Sequence, residues 1–259
     1  MGDQPEAQPV DWPEPTVWPA WPAATIQVWF AALQRPPNQL ARLAATLTVA
    51  EQARAAQFRH PDQRAGFIVG RGALRWLLSR YVGWPAAALR FGQNTQGKPL
   101  LVGVAAEAGV HFNLSHSRGW ALYAIARCEV GVDLEHLERR VSLVPLAERI
   151  CTPREWAAFQ AVPAERRTQA FFRCWTRKEA SAKAVGGGLA SGLRHFEVCG
   201  PELSGADERG YWTDSQSDAW SVLNLSPAPG WMGALAARGR AWRWQGWRLQ
   251  DHWFDTYQG

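Results

Sequence analysis

The period of apolar and polar positions changes along the chain, and each change marks an element. Thr25 to Leu33 is a largely apolar run of strand length. Before it stand Pro5, Pro9, Pro13, Pro15, Pro19 and Pro22, interleaved with Trp12, Trp18 and Trp21. Proline at that density removes backbone donors and prevents a helix, so residues 1–24 are expected to be an extended leader. Thr48-Val49-Ala50-Glu51 has the form of a capping box that opens a helix ending near His60. A second helix is expected from about Asp62, with Phe67, Leu74, Leu77, Leu78 and Tyr81 on one face, ending at Trp84-Pro85. Period-two segments follow at Leu89–Gln93, Leu100–Val102, His111–His116 and Gly119–Arg127, with a turn over Thr95–Pro99.

The second part of the chain runs in the same order. Val130–Leu134 reads as a strand on which Asp133 and Glu135 point to one side, because side chains alternate with period two. Thr152-Pro153-Arg154-Glu155 is another capping box, with proline at the first helical position. A long helix is expected from about Ala164 to Val185, ended by Gly186-Gly187-Gly188. Its apolar stripe is Phe171, Phe172 and Trp175, beside which lie Lys178, Glu179 and Lys183. Strands are expected near His195–Cys199, Trp220–Leu225, Trp231–Arg238 and Trp242–Leu249.

The two parts also share residues. At an offset of 111, Asn113-Leu114-Ser115 matches Asn224-Leu225-Ser226, Gly119-Trp120 matches Gly230-Trp231, and Ala126-Arg127 matches Ala237-Arg238. Phe67 with Phe172 and Phe91 with Phe196 share an offset of 105. The expected fold is therefore α+β, two similar halves forming an intramolecular pseudo-dimer with the active site between them. The domains expected are a leader at 1–24, an N-terminal half at 25–128 and a C-terminal half at 129–259. Because the duplication supplies its own pairing, a monomer is expected.

Composition narrows the function. With 259 residues, 47% of them hydrophobic, the chain can bury a full core. A formal charge of +5 and a pI near 9.3 suit anionic ligands. There is no dense Lys/Arg run, so nucleic acid is not the expected partner. The acidic, proline-rich start is no signal peptide, and no apolar run is long enough for a membrane span. Cys128, Cys151, Cys174 and Cys199 lack paired spacing and read as free buried thiols in a reducing compartment, so a cytoplasmic protein is expected.

The candidate chemistry lies in three stretches: Phe112–His116, Gly131–Glu135 and Trp175–Lys183. Packed together, they would set Asp133, Glu135 and Glu179 among several cations, a donor set for a magnesium-assisted reaction on a phosphate compound. Lys178 and Lys183 would neutralise a pyrophosphate. Ser115 and His116 are adjacent on a strand and point to opposite faces, so they form no nucleophile–base relay, whereas His116 fits a phosphate donor. Arg54, Arg64 and Arg71 on the helical hairpin could line an anion site. The bland alternative is a solvated salt-bridge face.

Gly131-Val132-Asp133-Leu134-Glu135, followed by Trp175-Thr176-Arg177-Lys178-Glu179-Ala180-Ser181-Ala182-Lys183, resembles the paired signature of 4′-phosphopantetheinyl transferases, in particular the surfactin-synthetase-activating, pseudo-dimeric type. Gly97-Lys98-Pro99 and Phe112–His116 resemble the family's other two motifs, in the right order. The resemblance implies transfer of the 4′-phosphopantetheine arm of coenzyme A to a serine of an acyl, aryl or peptidyl carrier protein, releasing adenosine 3′,5′-bisphosphate. By motif, Asp133, Glu135 and Glu179 would hold Mg²⁺, with Mn²⁺ as an alternative ion. Glu179 would deprotonate the serine, and Lys178 and Lys183 would hold the pyrophosphate or assist the leaving group. Ser115 and His116 would contact coenzyme A phosphates, and Lys98 would lie near the adenine or its ribose phosphate. Arg54 matches a basic position of the family, with Arg64 and Arg71 as further coenzyme A contacts. The rival readings are a magnesium-dependent hydrolase of nucleotides or coenzyme A, and a non-catalytic module that binds carrier proteins.

Overall fold

The computed structural model describes residues 12–139, 141–186, 192–195, 197–199, 209–214 and 217–255. Strand β1 (Thr25–Ala32) leads to helices α1 (Pro37–Ala45), α2 (Val49–Ala56) and α3 (Pro61–Val82). The hairpin β2 (Arg90–Gln93) and β3 (Pro99–Val102) and the hairpin β4 (His111–Ser117) and β5 (Trp120–Ala126) complete the first half. The second half runs through β6 (Val130–His136), α4 (Leu143–Ile150), α5 (Pro153–Ala161) and α6 (Arg167–Val185). After it come β7 (Gly210–Thr213), β8 (Ala219–Leu225), β9 (Trp231–Arg238), β10 (Arg243–Arg248) and α7 (His252–Asp255).

The duplication read from the sequence is present in three dimensions. One sheet has the order β10-β1-β5-β4 and the other β6-β9-β8-β7, so β1-β5-β4 and β6-β9-β8 are equivalent antiparallel triplets. Gly119 and Gly230, paired by the sequence offset, both adopt φ +78° in their hairpin turns, a conformation that a Cβ disfavours. The long helix of each half ends on a left-handed glycine, Gly83 after α3 and Gly186 after α6. Gly187 and Gly188 lie outside the described residues.

Four layers result. Ile26, Val28, Phe30, Leu122 and Ala124 of one sheet meet Val130, Val132, Leu223, Leu225 and Leu235 of the other in a face-to-face core. The outer face of the first sheet packs through Trp29, Tyr123 and Ile125 on Leu74, Leu77 and Leu78 of α3. The outer face of the second packs through Val222, Ala234 and Ala236 on Phe171, Phe172 and Cys174 of α6.

Some elements differ from the expected ones. Residues Leu193–His195 form a turn of 3₁₀ helix rather than the start of a strand, and Phe196 lies outside the described residues. Helices α1 and α4 were not announced by the apolar pattern; neither has a side-chain cap at its N-terminus. Strand β10 crosses back to the first half and pairs in parallel with β1, with Thr25 opposite Arg243 and Trp29 opposite Trp247. The described part of the leader is extended and packed. Trp12 is buried against Trp244 and Gly246, and Trp18 stacks on Trp29 with ring centroids 5.0 Å apart. Trp253 of α7 meets the edge of Trp18, so leader and tail close one aromatic cluster over the first sheet.

Candidate functional site

The site forms where β4, β6 and α6 meet. Alternate residues of β4 face β6 and bond to it in sequence. Asn113 Oδ1 accepts from the Val132 amide at 2.9 Å, Ser115 Oγ donates to Asp133 at 2.8 Å, and Ser117 Oγ donates to Glu135 at 3.1 Å. Period-two geometry thus delivers both carboxylates of β6 to one face, which is the face under α6. Helix α6 supplies Glu179 and Lys183, one turn apart. Lys183 Nζ lies 2.7 Å from Asp133 Oδ1 and 3.1 Å from Ser115 Oγ. Arg139 forms an ion pair with Glu135.

A cavity of about 280 Å³ is bounded by Ser115, His116, Asp133, Glu135, Trp175, Glu179 and Lys183. Asp133 and Glu179 are 5% and 7% exposed, and Asp133 Oδ2 and Glu179 Oε1 are buried without a hydrogen-bond partner. A buried carboxylate oxygen without a partner is costly, and a cation placed between the two would remove that cost. Burial first, and the neighbouring charge of Asp133 second, push the Glu179 carboxyl up to about 7. Glu135 is raised as well, by burial and then by Asp133. Hard oxygen donors from three carboxylates suit a hard divalent cation. Their oxygens do not form a group in which all lie within 4.8 Å; Lys183 and Arg139 each hold one carboxylate instead.

A larger cleft, of about 1380 Å³, adjoins this cavity, and Leu114 and His116 border both. It lies in the first half, between α2, α3 and the two hairpins. Its cations are Arg35, Arg54, Arg71 and Arg118, and its rings are Phe58, Phe67 and Phe91. Arg71 lies over Phe91 at 4.2 Å and is held by Glu51, the capping residue of α2. Arg54 lies over Phe67 at 5.6 Å. His116 faces the cleft while Ser115 faces the carboxylates, so the two do point to opposite sides of the strand. Burial, and next Lys183, hold the His116 imidazole below its usual range.

Three of the expected residues are not drawn into the cavity or the cleft. Lys178 is 0% exposed and pairs at 2.7 Å with Glu155, itself 0% exposed, on another face of α6. It also donates to the Leu193 carbonyl at 3.1 Å, so it belongs to the core and reaches neither cavity. Lys98 donates to the Val130 and Ala184 carbonyls, each at 2.8 Å. Its ammonium fastens the β2–β3 turn to β6 and the end of α6 and does not border the cleft. Arg64 is exposed and does not line the cleft, although its neighbours Gln63 and Ala65 do. The sequence reading missed Ser117, Arg139, Arg35 and Arg118. For Ser117 a signal existed: it continues the period set by Asn113 and Ser115.

Residues 34–128 match the family model described as 4′-phosphopantetheinyl transferase, N-terminal, and residues 129–236 match that of the 4′-phosphopantetheinyl transferase superfamily. The 4′-phosphopantetheinyl transferase HetI of Nostoc sp. is 38% identical over 223 residues, which cover 86% of this chain and 91% of HetI. The chain belongs to the 4′-phosphopantetheinyl transferase superfamily. A putative 4′-phosphopantetheinyl transferase of Synechocystis sp. is 33% identical across 64% of this chain and 67% of its own. Sfp, the 4′-phosphopantetheinyl transferase of Bacillus subtilis, is 28% identical across 55% of this chain and 61% of its own. As a 4′-phosphopantetheinyl transferase the chain is an enzyme, and its two matched segments meet between β5 and β6, where one structural repeat gives way to the next. Among the described residues no helix is long and apolar enough to cross a membrane.

Proposed function

We propose that this transferase moves the phosphopantetheine arm of coenzyme A to a serine of a carrier protein, with Mg²⁺ held by Asp133, Glu135 and Glu179. The observation that carries the reading is the pair of unpartnered buried oxygens, Asp133 Oδ2 and Glu179 Oε1, beside Lys183 at the end of a cation-lined cleft. Bound there, magnesium would supply charge stabilisation at the pyrophosphate oxygens. Lys183 places a second positive charge at the same end and stabilises the bisphosphate as it leaves. The carrier serine oxygen attacks the pyrophosphate phosphorus, the bond to the adenosine-side phosphate breaks, and adenosine 3′,5′-bisphosphate departs.

Glu179 takes the serine proton. General-base help of this kind is worth roughly 10²–10⁴-fold. His116, facing the cleft, donates to a coenzyme A phosphate, and Arg54 and Arg71 attract the anionic nucleotide portion. Ser115 orients Asp133 instead of binding the cofactor, since its hydroxyl lies between Asp133 and Lys183. The domain division at 128/129 gives the first half the cofactor cleft and the second half the carboxylates. We place the protein in the cytoplasm, acting as a monomer on an acyl, aryl or peptidyl carrier protein.

The test is intact-mass spectrometry of an apo carrier protein incubated with the enzyme, coenzyme A and Mg²⁺. The expected result is a gain of one phosphopantetheine arm that chelator abolishes. Release of adenosine bisphosphate without any carrier gain would overturn the reading in favour of hydrolysis.

A further inference from the structure

The cleft lined by Arg54 and Arg71 also has acids in its wall, Glu51 and Asp62. Asp62 is exposed in the first turn of α3, where an acid favours the helix dipole. Glu51 is placed differently. Its side chain is only 13% exposed, and its charge opposes the anion that the arginines attract. Both of its oxygens are taken up by the protein. One accepts from the Thr48 amide at 2.9 Å, the Thr48 hydroxyl at 3.0 Å and Arg75 Nε at 2.8 Å. The other accepts from Arg71 Nε.

The two arginines differ in what this leaves free. The Arg75 side chain is 1% exposed and donates through Nη1 to the Ala86 and Leu89 carbonyls, so it is a fixture of the core. Arg71, one turn earlier on α3, spends only Nε. Its Nη1 and Nη2 have no hydrogen-bond partner among the described residues and are not buried, and the residue borders the cleft. Its guanidinium carbon lies 4.2 Å from the centre of the Phe91 ring. That ring is fixed in turn by an edge-to-face contact with buried Phe112, at 5.5 Å between centroids. Held at Nε by a carboxylate and on one face by a ring, the guanidinium has already lost the rotamer freedom of a surface arginine. Binding a ligand there no longer costs that ordering. The remaining Nη pair is a planar two-donor fork, the shape that bonds two oxygens of one phosphate.

Coenzyme A carries two anionic groups, the pyrophosphate that reacts and a phosphate monoester on the ribose. The pyrophosphate belongs at the carboxylate cavity beside Lys183, which Arg71 does not border. We propose that Glu51 is a positioning residue, which with Phe91 aims the Nη fork of Arg71 at the ribose phosphate monoester and so selects coenzyme A over its 3′-dephospho form. The inference rests on coenzyme A being the substrate, as proposed above.

The test is calorimetric titration of the full chain, in Mg²⁺, with coenzyme A and with 3′-dephospho-coenzyme A. The wild type should prefer coenzyme A by roughly tenfold or more, the worth of a charged, two-point hydrogen bond. Arg71→Met should remove most of that preference. Glu51→Gln still caps α2 through Thr48 but no longer holds Arg71, and should lower the preference at least threefold. Adding Glu51→Gln to Arg71→Met should change the preference no further, since nothing is left to aim. Glu51→Asp keeps a charge beside Arg75 but draws it back from Arg71 by one methylene. It should show the same fall and carries the test if Glu51→Gln does not fold. A merely structural Glu51 would weaken both ligands alike, and an unchanged preference in the folded variant overturns the proposal. So does a further fall in the double variant, or a wild type that binds both ligands equally. A wild type that binds neither ligand overturns the coenzyme A reading itself, and this inference with it.

Discussion

Gly131 of β6 lies directly beneath Ala180 of α6. A methyl group placed on Gly131 would overlap the Ala180 carbonyl oxygen and lie 2.9 Å from the Ala184 Cα. Both obstacles are helix backbone, which cannot rotate aside, so the strand and helix approach this closely only because the residue is glycine. The same contact sets how near Asp133 and Glu135 lie to Glu179 and Lys183. Gly131→Ala is therefore expected to lift α6 from β6, destabilising the protein by about 1–3 kcal/mol. Transferase activity should fall far more than the folded fraction does. Thermal melting and single-turnover transfer, measured on the same sample, check this; activity that simply follows the folded fraction would refute it.

Lys178 and Lys183 separate structural from functional charge on one helix. Truncating Lys178 leaves Glu155 as an uncompensated buried charge, and breaking such a pair costs about 3–5 kcal/mol. Lys183 is 27% exposed at its side chain and borders the cavity. Lys178→Met is expected to lower the melting temperature strongly, and any surviving folded protein should retain turnover. Lys183→Met leaves Asp133 with Ser115 as its partner, so it should melt below the wild type but above Lys178→Met, and lose turnover. Denaturant unfolding together with kcat per folded molecule distinguishes the two.

That contrast also shows what was legible in the chain. Asp133 with Glu135 follows from strand alternation, and Glu179 with Lys183 from the helical turn, so the heart of the site is visible in local periodicity. Charge next to Glu179 suggests Lys178 as a pyrophosphate clamp, and so does the resemblance, although a residue one step before Glu179 points about 100° away around a helix. The equivalence of Gly119 and Gly230 was visible because a positive φ demands the same residue in both copies. The pairing of β10 with β1 was not, because a parallel pair more than two hundred residues apart leaves no local signal. Likewise the approach of the Cys151 and Cys174 sulfurs to 3.9 Å depends on how α4 and α6 pack. No spacing in the sequence encodes it.

Lys98 offers a test of ligand against latch. Its ammonium binds the Val130 and Ala184 carbonyls, and burial lowers it to about 8. The unfolded chain therefore holds more protons than the folded one between about pH 8 and 10.5, so stability from this group rises with pH across that window. Lys98→Met should remove that rise and should loosen the turn from the end of α6. The KM for coenzyme A should change less than twofold, as read from initial rates. A large rise in KM with unchanged melting would return Lys98 to the cofactor.

Glu179 should make the metal-free protein sensitive to pH in the opposite sense. Its folded carboxyl titrates near 7, against an ordinary value of 4.5, because burial and Asp133 disfavour the charge. Between those values the folded state holds a proton that the unfolded state has lost. Stability from this group is therefore present below about pH 4.5, declines as pH rises through 7, and is level above it. In chelator, Glu179→Gln should match the wild type at pH 5 and melt several degrees higher at pH 8. Adding Mg²⁺ at pH 8 should reverse that order, because an ion that binds only the folded wild type stabilises it by mass action. If the variant gains as much from Mg²⁺ as the wild type does, Glu179 is not a ligand, and the unpartnered oxygen of its carboxylate serves the reaction solely as a base.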